Sequence, residues 1–220
     1  MSVNDTSLTA SEQVFLQGEK FAAKAGLLNK FKLMHVDEDV SPSDLATNII
    51  AAAFLASEKA GAIRLEVRQK KALFGLTKVT TLYAEPLQQV DYPAASLEGH
   101  IYDLAVTLKA SKDKNEVSNL VYAWLRKDVR TPWLEALEFI QIGLADRWLV
   151  NVIKEKKLKI FTTTHYELPE STRLLAASLP VEPVQQLLSD CRDYRPEVWK
   201  LLLKEIKQGV ESRTERDDSE

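Results

Sequence analysis

The stretch Leu45 to Lys59, LATNIIAAAFLASEK, constrains this chain more than any other. Ile49, Ile50, Ala51 to Ala53, Phe54, Leu55 and Ala56 leave a helix here with no polar side, and a helix without a polar face is a buried central one. Its start is written in Ser41-Pro42-Ser43-Asp44, with a hydroxyl at the cap, proline at the first helical position and an acid at the third. Ala60-Gly61 stops it. The apolar run is far below the roughly 20 residues that cross a bilayer. Such a helix needs other elements packed around it, and a chain of 220 residues is long enough to supply them.

Those elements follow from the periodicity. Thr9 and Glu12 have capping-box spacing, and Val14, Gly18, Phe21, Ala22 and Ala25 recur on one narrow helical face that Gly26 ends. Phe31 to Val36 reads as a short strand before the acidic loop Asp37-Glu38-Asp39. Leu97, Ile101, Leu104, Ala105 and Leu108 mark one amphipathic helix, and Val117, Leu120, Val121, Trp124 and Leu125 the next. Thr131-Pro132 opens a longer one, with Trp133, Leu137, Ile140, Leu144 and Trp148 facing inward. Glu170 to Ser178, Pro183 to Cys191 and Glu197 to Gln208 are three further short helices, each introduced by a proline.

Two helices run into β-hairpins. After Gly61, Ile63, Leu65 and Val67 alternate with Arg64, Glu66 and Arg68, Gln69 to Leu76 forms a loop, and Val79 to Tyr83 returns. After the long helix, Trp148 to Ile153 and Leu158 to Thr164 read as a second pair of strands. The expected class is mainly α with small β-hairpins, a helical core surrounded by helices and two helix-hairpin, winged-helix-like units. Seven glycines in the whole chain agree with helices over a sandwich or barrel. The expected organisation is a lead-in over 1–8, a single domain over 9–210 and a charged tail over 211–220.

Charge is concentrated on the hairpins. Ala62 to Lys78 carries +4 and Lys154 to Lys159 carries +3, so with a net charge of −3 the rest of the chain holds −10. Basic hairpins on an acidic body point to an anionic partner surface, or else keep exposed sheet edges soluble. In the second, Lys154, Lys156, Lys157, Leu158, Lys159 and Phe161 interleave cations with apolar groups, and Lys70, Lys71 and Phe74 repeat that grammar in the first. Lysines would meet lipid phosphates while Leu158 and Phe161 enter the headgroup boundary.

Other chemistries find little support. There is no Gly-rich phosphate loop, Gly-x-Ser-x-Gly or His-Glu-x-x-His, so neither catalysis nor a cofactor is expected. His35, His100 and His165 are scattered and have no cysteine pair to join them at a metal. His165, in its Thr-Thr-His run, reads as a strand-closing residue before a general base. The four tryptophans, 124, 133, 148 and 199, fall on apolar stripes and are assigned to the core. A helix followed by a basic hairpin is also the shape of a winged helix that touches nucleic acid or protein. The recognition helix would show Glu135, Glu138, Gln141 and Asp146 outward, with Arg147 only at its end, and an acidic helix repels phosphate. The lone Cys191 and the polar Met1 to Ser7 fit a cytoplasmic chain, either free or peripheral on a membrane.

Three stretches resemble the Golgi phosphoprotein 3 family, which has eukaryotic and bacterial members. They are Ser11 to Gly26, Asp44 to Glu66 with AFLASEKAGAIRLE, and Trp133 to Leu168 with EKKLKIFTTTHYEL. The resemblance implies a helical core ringed by helices and hairpins, on a non-enzymatic peripheral membrane or adaptor protein that binds a phosphoinositide, at the Golgi in a eukaryote. It carries the family's membrane-entering hairpin to Lys154–Phe161. The family's headgroup arginines fall at Ile50, Leu134 and Leu137, none of which binds phosphate. Beyond Pro169 the resemblance fades.

Overall fold

The computed structural model describes residues 7–26, 29–72, 77–112, 114–157 and 161–214. The chain is mainly α-helical, with antiparallel two-stranded sheets between the helices. In order these are α1 (Ala10–Leu16), β1 (Phe31–Lys32), β2 (Asp39–Val40), α2 (Pro42–Lys59), β3 (Ile63–Ala72) and β4 (Thr77–Pro86). Then come α3 (Leu97–Ala110), α4 (Val117–Leu125), α5 (Pro132–Asp146), β5 (Asn151–Lys157) and β6 (Phe161–Glu167). Three helices follow, α6 (Glu170–Ser178), α7 (Glu182–Tyr194) and α8 (Pro196–Glu211).

Helix α2 is the axis of the fold. The Ser41 hydroxyl accepts the Asp44 amide at 3.3 Å and caps the start. At the other end Gly61 takes φ +77°, which lets its amide reach the Glu58 carbonyl and the Ala62 amide reach that of Ser57. This is the reciprocal end that glycine permits without a Cβ penalty. Between the two ends, Leu45 and Ile49 to Leu55 are buried. Helices α1, α3, α5, α7 and α8 all pack on α2, and the small Ala51–Ala53 run lets them approach closely.

Helix α8 closes the shell by lying along α4. Gly209 is the point of nearest approach, where an added Cβ would sit 2.6 Å from the Ser118 carbonyl oxygen and 2.7 Å from the Val121 Cβ. Alanine would gain roughly 1 kcal/mol of helix propensity there, but overpacking costs about 1–3 kcal/mol. Gly209→Ala is therefore expected to lower the urea midpoint. A raised midpoint would mean that the two helices part easily.

The first helix is shorter than the apolar periodicity suggests. It ends at Leu16, not at Gly26, and passes into a 3-10 turn at Gly18–Lys20. Tertiary contacts stop it. The Gln17 side-chain amide donates to the carbonyls of Ala176 and Leu179 at the end of α6, and a Cβ on Gly18 would stand 2.7 Å from Leu33. Its face is not narrow either, because Ser11 and Glu12 are buried with Val14, Phe15 and Leu16. The Thr9 amide does donate to Glu12, at 3.0 Å, as the capping-box spacing predicts. The strand expected over Phe31 to Val36 shrinks to Phe31–Lys32, paired with Asp39–Val40.

Trp148 corrects the sequence reading most sharply. Helix α5 ends at Asp146, and Trp148 takes φ +63° and is 77% exposed, while Leu149 and Val150 turn into the core in its place. That anchor delays the strand, so β5 begins at Asn151 and runs to Lys157.

Candidate functional site

The two hairpins are built differently. In the first, β3 and β4 pair from Ile63↔Pro86 to Ala72↔Thr77, which takes Gln69 to Ala72 out of the expected loop and into the strand. Its base is part of the body: Ile63, Leu65, Leu82, Tyr83 and Ala84 are buried, and β4 packs against α3, α4 and α8. Both outer edges are met there. The Leu65 amide donates to the Glu58 carboxylate, and the Ala84 amide to the Asn115 carbonyl, each at 2.9 Å. Val67, expected inward, is exposed although its partner Leu82 is buried, because the helices at this level cover β4, whose Thr81 hydroxyl donates to Glu205 of α8.

The cations of this hairpin are largely matched by acids. Arg64 and Arg68 both hold Glu66, and the Arg68 hydrogen bond keeps the Glu66 carboxyl below its usual range. Arg68 also reaches Glu85 at 2.8 Å and lies 4.7 Å over the Tyr83 ring. Lys109 of α3 joins Glu85, and Lys70 pairs with Glu116 at 2.6 Å. Lys71 stands opposite Lys78 in the ladder. Phe74 lies outside the described residues.

The second hairpin projects. Asn151, Val152, Lys154, Glu155, Thr164, His165 and Glu167 are all exposed, while Leu149, Val150 and Leu168 root its two ends in the core. Its register runs from Asn151↔Glu167 through Lys154↔Thr164 to Lys156↔Thr162 and Lys157↔Phe161. Lys154, Lys156 and Lys157 thus belong to β5 itself, not to a turn, and Phe161 opens β6. Leu158 and Lys159 lie outside the described residues. Because opposite residues share a face, Val152, Lys154, Thr164 and Tyr166 stand on one side. The acids Glu155 and Glu167 stand on the other with His165, whose Nε2 is 3.8 Å from Glu155.

Helix α5, which leads into this hairpin, has an acidic and apolar outer face. Its exposed stripe is Leu134, Glu138, Ile142 and Asp146. Glu135 and Gln141, expected outward, are buried, and burial raises the Glu135 carboxyl above its ordinary range. Arg147 is buried against Glu12. The face a groove would meet has acids and no cation.

One feature escaped the sequence reading. The starts of α2 and α5 and the end of α8 enclose a cleft of about 950 Å³, lined among others by Ser41, Asp44, Arg130, Trp133, Leu134 and Lys207. The two hydroxyl-proline helix starts, Ser41-Pro42 and Thr131-Pro132, were the signal for it, though only the fold brings them together. Lys207 pairs with Glu211 at 3.8 Å, so two basic and two acidic side chains share the lining. Ile50 and Leu137, the positions nearest the family's lipid-binding arginines, are instead core residues.

No helix among the described residues is long and apolar enough to cross a membrane. Searches of family models, of curated proteins and of solved structures found no match to this chain.

Proposed function

We propose that this chain is a non-enzymatic peripheral membrane or adaptor protein, similar to Golgi phosphoprotein 3, that contacts anionic, phosphoinositide-like lipid surfaces through the β5–β6 hairpin. The observation that carries this reading is the contrast between the hairpins. Arg64, Arg68 and Lys70 of the first are drawn into ion pairs with Glu66, Glu85 and Glu116, whereas the second leaves the helical body with Lys154 exposed on a face that holds neither of its acids. The basic clusters are therefore not equivalent, and contact with a surface falls to the second.

Magnitudes define what such a contact does. Each lysine near an anionic leaflet contributes about 1 kcal/mol. Lys154, Lys156, Lys157 and Lys159 together give about 4 kcal/mol, a millimolar attachment that is salt-sensitive and reversible. The balanced charges of the α2–α5 cleft favour selection by surface charge over selection of one headgroup.

Liposome sedimentation tests this directly. Pelleting is expected with vesicles containing phosphatidylserine or a phosphoinositide, falling as salt rises, and none with neutral phosphatidylcholine. Equal pelleting with neutral and anionic vesicles, or none with either, would sink the reading. Phe161→Asp is expected to abolish pelleting with an unchanged circular dichroism spectrum. Loss of the helical spectrum in that variant would place Phe161 in the core and remove it from the contact.

A further inference from the structure

A pocket of about 250 Å³ lies between the start of α3, the end of α4 and the outer half of α5. Leu97, Trp124 and Ile140 form its buried floor. Gly143 closes it, since only a residue without a Cβ lets α5 meet the Ala95 carbonyl there. Two charged side chains, Arg126 and Asp146, line it, and both are exposed, which puts them at its rim. Arg126 takes φ +63° at the end of α4, a backbone state that is uncommon outside glycine and recurs at ligand sites. Its guanidinium lies 5.8 Å from the centre of the Phe139 ring, on the pocket wall. Asp146 is the last residue of α5, where a carboxylate opposes the helix dipole and a cation is favoured. Neither has an ion-pair partner among the described residues. Burial, and then the nearby Arg126, push His100 below its ordinary range, so the imidazole adds no charge to the lining.

We propose that this pocket binds a free α-amino acid with an apolar side chain, its carboxylate on Arg126, its ammonium on Asp146 and its side chain on the Leu97–Trp124–Ile140 floor. Size and charge select the class. A volume of about 250 Å³ is below the ~300–1,000 Å³ of sites for drug-sized ligands, so nucleotides and larger cofactors do not fit. A purely anionic ligand would meet Asp146, and a purely cationic one would meet Arg126. A zwitterion satisfies both, and its two charges stay at the wet rim while its apolar part fills the dry floor. The planar guanidinium suits a carboxylate in particular, because its N–H groups can hold both oxygens. An ammonium at Asp146 would in turn offset the local cost of an acid at the end of α5.

Isothermal titration calorimetry of the full chain with L-leucine tests this. Saturable binding is expected, with a dissociation constant on the order of 0.1–1 mM for so small a ligand. Glycine, which has no side chain to bury, is expected to bind about tenfold more weakly or worse. L-leucinamide lacks the carboxylate and N-acetyl-L-leucine lacks the ammonium, and each is expected to lose about tenfold or more. Arg126→Gln and Asp146→Asn are expected to weaken leucine by about the same factor with unchanged circular dichroism spectra, since both side chains are exposed. Arg126→Gln should cost leucinamide little, because that ligand has no carboxylate to lose. No saturable heat with leucine overturns the proposal. So does equal affinity for N-acetyl-L-leucine, which would mark the pocket as a seat for the last residue of another chain. Leucine binding that both variants leave unchanged overturns it as well.

Discussion

Arg147→Ala is expected to cost the fold about 3–5 kcal/mol, a large part of the stability of a domain this size. The Arg147 side chain is 5% exposed and its ion-pair partner, Glu12, is 2% exposed. One guanidinium nitrogen also donates to the Ser7 carbonyl at 2.9 Å. Truncation would leave Glu12 as an uncompensated charge in the interior. Its surroundings make that worse, because the fully buried Glu98 accepts both the amide and the hydroxyl of Ser11 beside it. Desolvation raises the Glu98 carboxyl, and Glu12 pushes it in the same direction. Urea unfolding followed by circular dichroism would measure the loss. Replacing both partners, Glu12→Gln with Arg147→Met, is expected to recover much of it, since an uncharged pair of similar volume leaves no uncompensated charge in the interior. A loss under about 1 kcal/mol for Arg147→Ala would mean that water reaches the pair, as it does at surface ion pairs.

That pair also shows where sequence reasoning stops. Glu12 was legible as half of a capping box and Arg147 as the last residue of a helix, because both roles are local. Their meeting across 135 positions is not local. The same division runs through the molecule. The cap, the apolar run and the glycine stop of α2 are signals within a turn or two, and the structure reproduces them. Extending the α5 stripe one step puts Trp148 inward, but the helix ends before that step, at Asp146. Polarity alone puts Glu135 and Gln141 outward, but Lys127, 3.9 Å from Glu135, belongs to a segment that closes over the first turn. For the site, the presence of two basic hairpins was legible. That Lys70 of the first is held by Glu116 while Lys154 of the second is exposed depends on where the α3–α4 segment lies, which only the fold shows.

Phe54→Ala is expected to be as damaging, by about 3–5 kcal/mol, through a cavity instead of a charge. Phe54 is 0% exposed, on the helix that α1, α3, α5, α7 and α8 all touch. The alanines at 51–53 set how closely those neighbours approach, so they cannot collapse into the space a lost ring leaves. Ile49→Val, on the same helix, removes one methylene and is expected to cost only about 0.5–1.5 kcal/mol. Because α2 is shared by so many helices, the loss should appear as a lower urea midpoint with an unchanged slope. Helical circular dichroism and tryptophan fluorescence should also move together, since Trp124, Trp133 and Trp199 sit around the same core. Two separated transitions would show that residues 9–210 are not one cooperative unit, and that part of the helical shell folds without its axis.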